Sequence, residues 1–148
     1  MPSTHVSLYF HFIFSTKERH CWIRDSWEAR LHSYLGGILH NLGGVADIIG
    51  GYSDHVHILA SLKATHRIAD VLRDLKSNSA LWIHQKIGIL QFKWQDGYGA
   101  HSVSSSALGG LRTYIAQQKA HHCTKSFQEE YLELLRENGI DFDARYLW

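Results

Sequence analysis

Asp54-His55-Val56-His57-Ile58-Leu59-Ala60 is the stretch whose reading decides the fold. Side chains on a strand alternate between two faces. Val56, Ile58, Ala60 and, just beyond, Leu62 then point one way, toward packed helices, while His55 and His57 point the other way. The flanking sequence supplies the neighbours that such a strand needs. Val45 to Ile49 is a second apolar run, separated from Val56 to Leu62 by Gly50-Gly51-Tyr52-Ser53-Asp54, which reads as a hairpin connection. Between His5 and Ser15, Val6, Leu8, Phe10, Phe12 and Phe14 alternate with His5, Ser7, Tyr9, His11 and Ile13, another strand pattern. A fourth strand is expected within Phe92 to Val103, broken by Gly97 and Gly99.

Helical periodicity fills the intervals. Trp27, Leu31, Leu35, Ile38 and Leu42 recur at helical spacing from about Asp25, and Gly43-Gly44 stops the run. A second helix is expected from near Thr65, with Ile68, Val71, Leu72, Leu75 and Leu81 on one side. Ser104-Ser105-Ser106 offers N-cap candidates for a third helix through about His121, and a last helix spans about Ser126 to Asn138, ended by Gly139. The order strand, helix, strand, strand, helix, strand, helices is the split β-α-β pattern of α+β, ferredoxin-like folds. The expected architecture is a four-stranded antiparallel sheet with helices on one face, the other face left open for a site or partner, and C-terminal helices beyond. There is no repeat or linker, and the one proline is Pro2, so residues 1–148 read as one domain.

Of the 148 residues, 45% are apolar and 20% charged, the balance of a folded chain rather than a disordered one. No apolar run approaches the roughly 20 residues that cross a bilayer. Met1 to His5 lacks the pattern that opens a signal peptide. Cys21 and Cys123 have no short-spaced partner, which argues against a disulfide framework or zinc ribbon; the expected compartment is the cytoplasm. A net charge of +1 is low for a nucleic-acid binder, so any DNA contact must come from locally concentrated cations. The candidates are Arg73 and Lys76 on the second helix, Lys63 and Arg67 just past the histidine strand, and Lys93, Arg112 and Lys119 flanking the site in sequence. Tyr98 and Trp94 are candidates for stacking on unpaired bases, Trp94 equally one for the core.

The chemistry concentrates in two elements. His55 and His57, on one strand face, can share a metal ion and leave coordination positions open; they also read as two ordinary half-exposed histidines. Tyr114 and Gln118, four apart on the third helix, share a helical face, although a tyrosine on an amphipathic helix is more often a packing residue. A phenol, with a pKa of about 10, needs help to act as a nucleophile at neutral pH. Three rival readings stand beside this one: an RNA-binding module, a zinc hydrolase, and a domesticated or inactive protein that binds hairpins without cutting. Gly97-Tyr98-Gly99 is similar to part of an RNA-recognition signature, which suggests an RNA- or hairpin-binding module without catalysis. A zinc hydrolase could use His55, His57 and a carboxylate, but Asp54 falls on the wrong strand face. His121-His122-Cys123 diverges around a helix and reads as a polar helix end.

Together, His55-Val56-His57 on a strand after a hairpin and a single Tyr114-x-x-x-Gln118 on a later helix resemble the single-tyrosine HUH transposases of the 200/605 group of insertion sequences. Relatives tied to repetitive extragenic palindromes belong with them. The resemblance extends through Tyr9-Phe10-His11-Phe12-Ile13-Phe14-Ser15-Thr16-Lys17, Gly51 to His57, Phe92-Lys93-Trp94-Gln95-Asp96-Gly97-Tyr98, and the acidic helix before Tyr146-Leu147-Trp148. It implies His55, His57 and Gln118 as ligands of Mg²⁺ or Mn²⁺, and Tyr114 as the nucleophile that forms a 5′-phosphotyrosine bond. It also implies single-stranded DNA with hairpin ends as the substrate. A homodimer is implied too, in which the Tyr114 helix could complete the partner's site about Gly109-Gly110. No nucleotide cofactor is expected, because bond energy is kept in the phosphotyrosine and no G-x-x-x-x-G-K-[ST] loop is present.

Overall fold

The computed structural model describes residues 3–121 and 126–141. Four strands form one antiparallel sheet in the order β2-β3-β1-β4: β1 is Leu8–Ser15, β2 Val45–Tyr52, β3 His55–Leu62 and β4 Gly99–Val103. Helix α1 (Asp25–Asn41) joins β1 to β2, and α2 (Ile68–Trp82), extended by a π-helical turn at Ile83–Ile87, joins β3 toward β4. Then come α3 (Leu108–Ala116), α4 (Gln118–His121) and α5 (Phe127–Glu137). This is the expected α+β arrangement.

Period two decides the faces. Phe12 and Phe14 of β1 and Val56, Ile58, Ala60 and Leu62 of β3 are buried with Trp27, Leu31, Leu35 and Leu39 of α1 and Val71, Leu72 and Leu75 of α2. Burying such side chains contributes roughly 1.5–3 kcal/mol each, so this layer is the main stabilising core. Helix α1 ends where Gly43 takes a left-handed conformation (φ 90°), which a glycine adopts without the Cβ penalty, and its N–H donates to the His40 carbonyl.

The second face is not open. Leu59 is buried with Leu108 and Ile115 of α3, and Ile13 with Phe127, Tyr131 and Leu135 of α5. The apolar residues on this face are few, but Tyr131 and Leu135 of α5 lie four apart on one helical stripe, which supplies a cover. Helix α5 starts where the Ser126 hydroxyl accepts from the Glu129 N–H at 3.2 Å. Glu129 and Glu130 lie in its first turn, where the helix dipole favours them.

Other boundaries differ from expectation. Strand β2 runs on to Tyr52, so the connection shrinks to Ser53-Asp54. Helix α2 begins at Ile68 rather than near Thr65, and Leu81 is 53% exposed. Strand β4 is only Gly99–Val103; Phe92 and Trp94 enter the core, and Trp94 keeps an isolated bridge to Thr16. Trp94 packs edge-on against Phe14 and donates from Nε1 to Ser79 Oγ at 2.9 Å, so it is a core residue and not a stacking platform. The expected third helix is broken. Ser105–Ala107 is a short 3-10 turn, and Gln117 (φ −102°, ψ 20°) separates α3 from α4. The serines do not cap α3; Ser104 and Ser106 bond each other instead. His122 and Cys123 of the suggested polar cluster, and Tyr146-Leu147-Trp148, lie outside the described residues.

Candidate active site

Strand β3 presents His55 and His57 to the face covered by α3, α4 and α5, and both are fully buried. A buried imidazole needs partners for both ring nitrogens. His55 Nδ1 lies 2.8 Å from Asp54 Oδ1, and its Nε2 lies 2.9 Å from Gln118 Oε1. His57 Nδ1 lies 2.8 Å from His11 Nε2, and its Nε2 lies 2.8 Å from Glu130 Oε1. Both Nε2 atoms therefore face one small volume bounded by the Gln118 carboxamide and the Glu130 carboxylate. His55, His57 and Glu130 each offer a ligand atom there, all within 4.8 Å of one another.

Tyr114 joins the same cluster. Its ring meets His57 edge-on at 5.8 Å, and its hydroxyl hydrogen-bonds with Glu130 and Gln118. Tyr114 and Gln118 were expected to meet through one continuous helix, yet they meet across the break at Gln117. Burial, and then the bond to and charge of Glu130, raise the Tyr114 pKa well above that of a free phenol, against a smaller lowering by Gln118. Tyr114 is a neutral phenol in this arrangement. Burial also holds the His11 imidazole well below its ordinary pKa, helped by His57 and His101 and opposed by Glu130.

The site is closed on the α5 side. Phe127 stacks on His55 with ring centroids 4.3 Å apart, and Gln118 and Glu130 are 1% and 3% exposed. Access runs along a groove of about 630 Å³ between β4, α3 and α5, lined by His101, Ser104, Gly110, Tyr114 and Glu133 among others.

The structure brings Tyr114, His55, His57 and Gln118 together, and it adds three residues that sequence reasoning missed. Asp54 was set aside because alternation puts it on the opposite strand face. It stands in the turn before β3, where alternation does not apply, and turns back to His55. His11 was legible in principle, since period two already put it on one face of its strand with Tyr9 and Ile13. Glu130 gave no local signal, being 73 residues from His57.

Of the candidate DNA contacts, Arg112, Lys119, Arg73 and Arg67 engage acidic neighbours. Arg112 grips Asp47 of β2 through Nε at 3.0 Å and Nη2 at 2.6 Å, while Lys119 reaches Asp25 at 3.0 Å. These two pairs fasten the segment carrying Tyr114 to β2 and to α1, although exposed pairs contribute only about 0–1 kcal/mol each. Arg73 pairs with Asp70 and Asp74, and Arg67 lies 3.8 Å from Asp70. Lys76 donates to the Asp96 and Gly97 carbonyls at 3.0 and 2.9 Å, and burial lowers its pKa. Lys63 donates its backbone N–H to His66 Nδ1, and the Lys93 carbonyl accepts from the Lys17 N–H. Tyr98 is 37% exposed. Cys21 is exposed with a free thiol, and no helix among the described residues is long and apolar enough to cross a membrane.

Comparison with known proteins agrees with this arrangement. A solved structure of a candidate transposase from Deinococcus radiodurans R1 matches with a TM-score of 0.67 at 25% identity, over 80% of this chain and 95% of that one. A REP-associated tyrosine transposase bound to a REP hairpin matches with a TM-score of 0.62 at 12% identity, over 82% of this chain and 73% of that one, a likeness of fold. The curated proteins give no sequence match. The family model for IS200-like transposases matches residues 4–118, from before β1 through Gln118, and so takes in both histidines and Tyr114 but stops short of Glu130. This chain belongs to the IS200-like transposase family.

Proposed function

We propose that this transposase cuts and rejoins single-stranded DNA at the hairpin-bearing ends of a mobile element, with Tyr114 as the nucleophile and a divalent ion, Mg²⁺ or Mn²⁺, held by His55, His57, Gln118 and Glu130. One observation carries the reading: the Nε2 atoms of both histidines, the two oxygen donors and the Tyr114 hydroxyl converge on one place. The donor set suits such an ion. Each histidine engages its Nδ1 elsewhere and directs Nε2 inward, and a carboxylate and a carboxamide add hard oxygens. An ion bound there would supply Lewis acidity toward a phosphate oxygen.

The chain's own residues do the rest. The Tyr114 oxygen attacks the phosphorus of the scissile phosphodiester, and the bond from phosphorus to the 3′-oxygen breaks. The phenolic proton passes to Glu130, whose carboxylate is already hydrogen-bonded to it, and from there to the departing 3′-oxygen, so that the products are a 5′-phosphotyrosine and a 3′-hydroxyl with Glu130 ionised again. Attack by another 3′-hydroxyl on the phosphotyrosine reverses the step, returns the proton to Tyr114 and joins the new ends. The family, and the hairpin held by the REP-associated structural neighbour, support hairpin ends as substrate. A homodimer fits one tyrosine per chain acting on two ends, and residues 1–148 act as one domain.

The test is a covalent adduct. Labelled single-stranded DNA from the flanks of the gene, incubated with Mg²⁺ or Mn²⁺, should become attached to Tyr114 and to no other tyrosine. Tyr114→Phe removes one oxygen and keeps the ring, so it should fold and bind DNA yet form no adduct. Adduct formation by the Phe variant, or a nucleotide mapped elsewhere, refutes the assignment.

A further inference from the structure

We infer that His11 is a positioning residue: its Nε2 fixes the orientation and tautomer of His57, as Asp54 does for His55. The inference rests on the reading of His55 and His57 as metal ligands and extends it to a residue outside the His-x-His pair.

The argument begins with the ring. A neutral imidazole carries one N–H, so a nitrogen that binds a metal has no proton and the other nitrogen must donate. His57 directs Nε2 to the shared volume and Nδ1 to His11 Nε2, 2.8 Å away. His57 is fully buried and His11 3% exposed, so water does not stand in for that partner. Backbone geometry holds the pair in place. His11 lies at the middle of β1, paired with Leu59 of β3 on one side and with His101 of β4 on the other, and β1 is an inner strand. The two rings lie nearly parallel, 23° apart with centroids at 5.1 Å, which restrains the His57 ring against turning over. If it turned over, Cε1–H would take the place of Nε2 and the ligand atom would be lost.

The two histidines thus have matched supports of different chemistry. Asp54, with 16% of its side chain exposed, gives His55 a carboxylate acceptor at the site's rim. With Nε2 given to a metal, His57 Nδ1–H would donate to His11 Nε2, an imidazole acceptor in the interior. Outer hydrogen bonds of this kind typically govern metal affinity by about 10–100-fold.

The experiment uses Mn²⁺ as the probe and reads its affinity by titration calorimetry on the full chain without DNA, with thermal melting as the check of folding. Gln and Met have similar length and volume, but only Gln offers an oxygen acceptor near the position of His11 Nε2. His11→Met is expected to weaken Mn²⁺ binding by about 10–100-fold, and His11→Gln to stay within about threefold of the parent. The pair separates the hydrogen bond from the packing even if both lose some stability. Equal affinities in the Met and Gln variants, whether both near the parent or both reduced, overturn the inference. If the parent binds no Mn²⁺, the metal reading itself fails, and this inference with it. Binding lost in His57→Ala but intact in His11→Met overturns the inference alone.

Discussion

Replacing Gly50 with alanine should slow strand cleavage without touching any group that reacts. Gly50 is the register partner of His57, so the Cβ added there points to the face that carries the site. It would stand 2.8 Å from Cγ2 and 3.1 Å from the carbonyl carbon of Ile115 and would also collide with the Ile115 carbonyl oxygen. Ordinary contact begins at 3.4 Å, a deficit of about 0.6 Å at the methyl group alone. A backbone carbonyl cannot rotate away as a flexible side chain can, so α3 must back off from β2. Ile115 is the neighbour of Tyr114, and the displacement is passed to the hydroxyl. A misplacement of about 1 Å at a reacting group can cost about 10²-fold in rate. We expect a loss of roughly ten- to a hundredfold in the single-turnover rate of adduct formation at saturating DNA. Overpacking of this kind costs about 1–3 kcal/mol, or roughly 2–4 °C of melting temperature per kcal/mol for a chain of this size. Gly37→Ala on α1, where a Cβ meets nothing within 4 Å, is the control. A folded Gly50→Ala protein that forms the adduct at the parent rate would refute the claim that close contact between α3 and β2 positions Tyr114.

Two further predictions concern other buried contacts. Asp54→Ala should lower Mn²⁺ affinity by about 10–100-fold, and Asp54→Asn by less because its oxygen still accepts from His55 Nδ1. The hairpin should survive both, since the Asp54 bond to Thr16 uses its main-chain carbonyl; unchanged calorimetric affinity in Asp54→Ala would show that His55 needs no support. His32 is a pH probe on α1: burial first, and then the Lys119 charge, bring its pKa down to about 4. The unfolded chain binds a proton below about 6.5 that the native state refuses, so stability falls as pH drops from about 6.5 to about 4, by up to ~3 kcal/mol. Urea melts of His32→Gln should lose correspondingly less across that window, and parallel curves for the two proteins would contradict the assignment.

The fold was legible wherever one periodicity governed a long segment. Phe10, Phe12 and Phe14 fixed the inner face of β1, and Val56, Ile58 and Ala60 that of β3, because a one-residue slip would have put every one of them in the wrong layer. Short or mixed signals fared worse. Phe92 and Trp94 are apolar and aromatic like strand residues, but tertiary packing drew them into the α1–α2 core and left β4 with five residues. Ser104-Ser105-Ser106 had the composition of a cap and formed a 3-10 turn, since cap residues serve irregular turns equally well.

The site divides along the same physical line. His55 and His57 are two apart on a strand, and a local rule suffices to bring them together. Gln118 and Tyr114 were paired by a helical rule that the break at Gln117 suspends, and they meet because Leu108 and Ile115 dock α3 on Leu59 while Gln118 is buried against His55, with exposed pairs from Lys119 to Asp25 and from Arg112 to Asp47 alongside. Those pairs also show where the carboxylates behind the low net charge lie. Arg112, Lys119 and Arg73, which as free cations would form a basic surface, lie against Asp47, Asp25, Asp70 and Asp74. A phosphate that reached them would compete with a carboxylate already in place, so these cations offer DNA less than their number suggests. Glu130 follows the opposite logic. Nothing near it in sequence marks it, and it reaches His57 only because Phe127, Tyr131 and Leu135 dock α5 on the sheet beside Ile13. A carboxylate 97% buried costs free energy unless partners compensate, and here the compensation is His57, Gln118 and Tyr114 together. The same apolar contacts that close the sheet's second face thus bring the fourth oxygen-bearing group to the histidines.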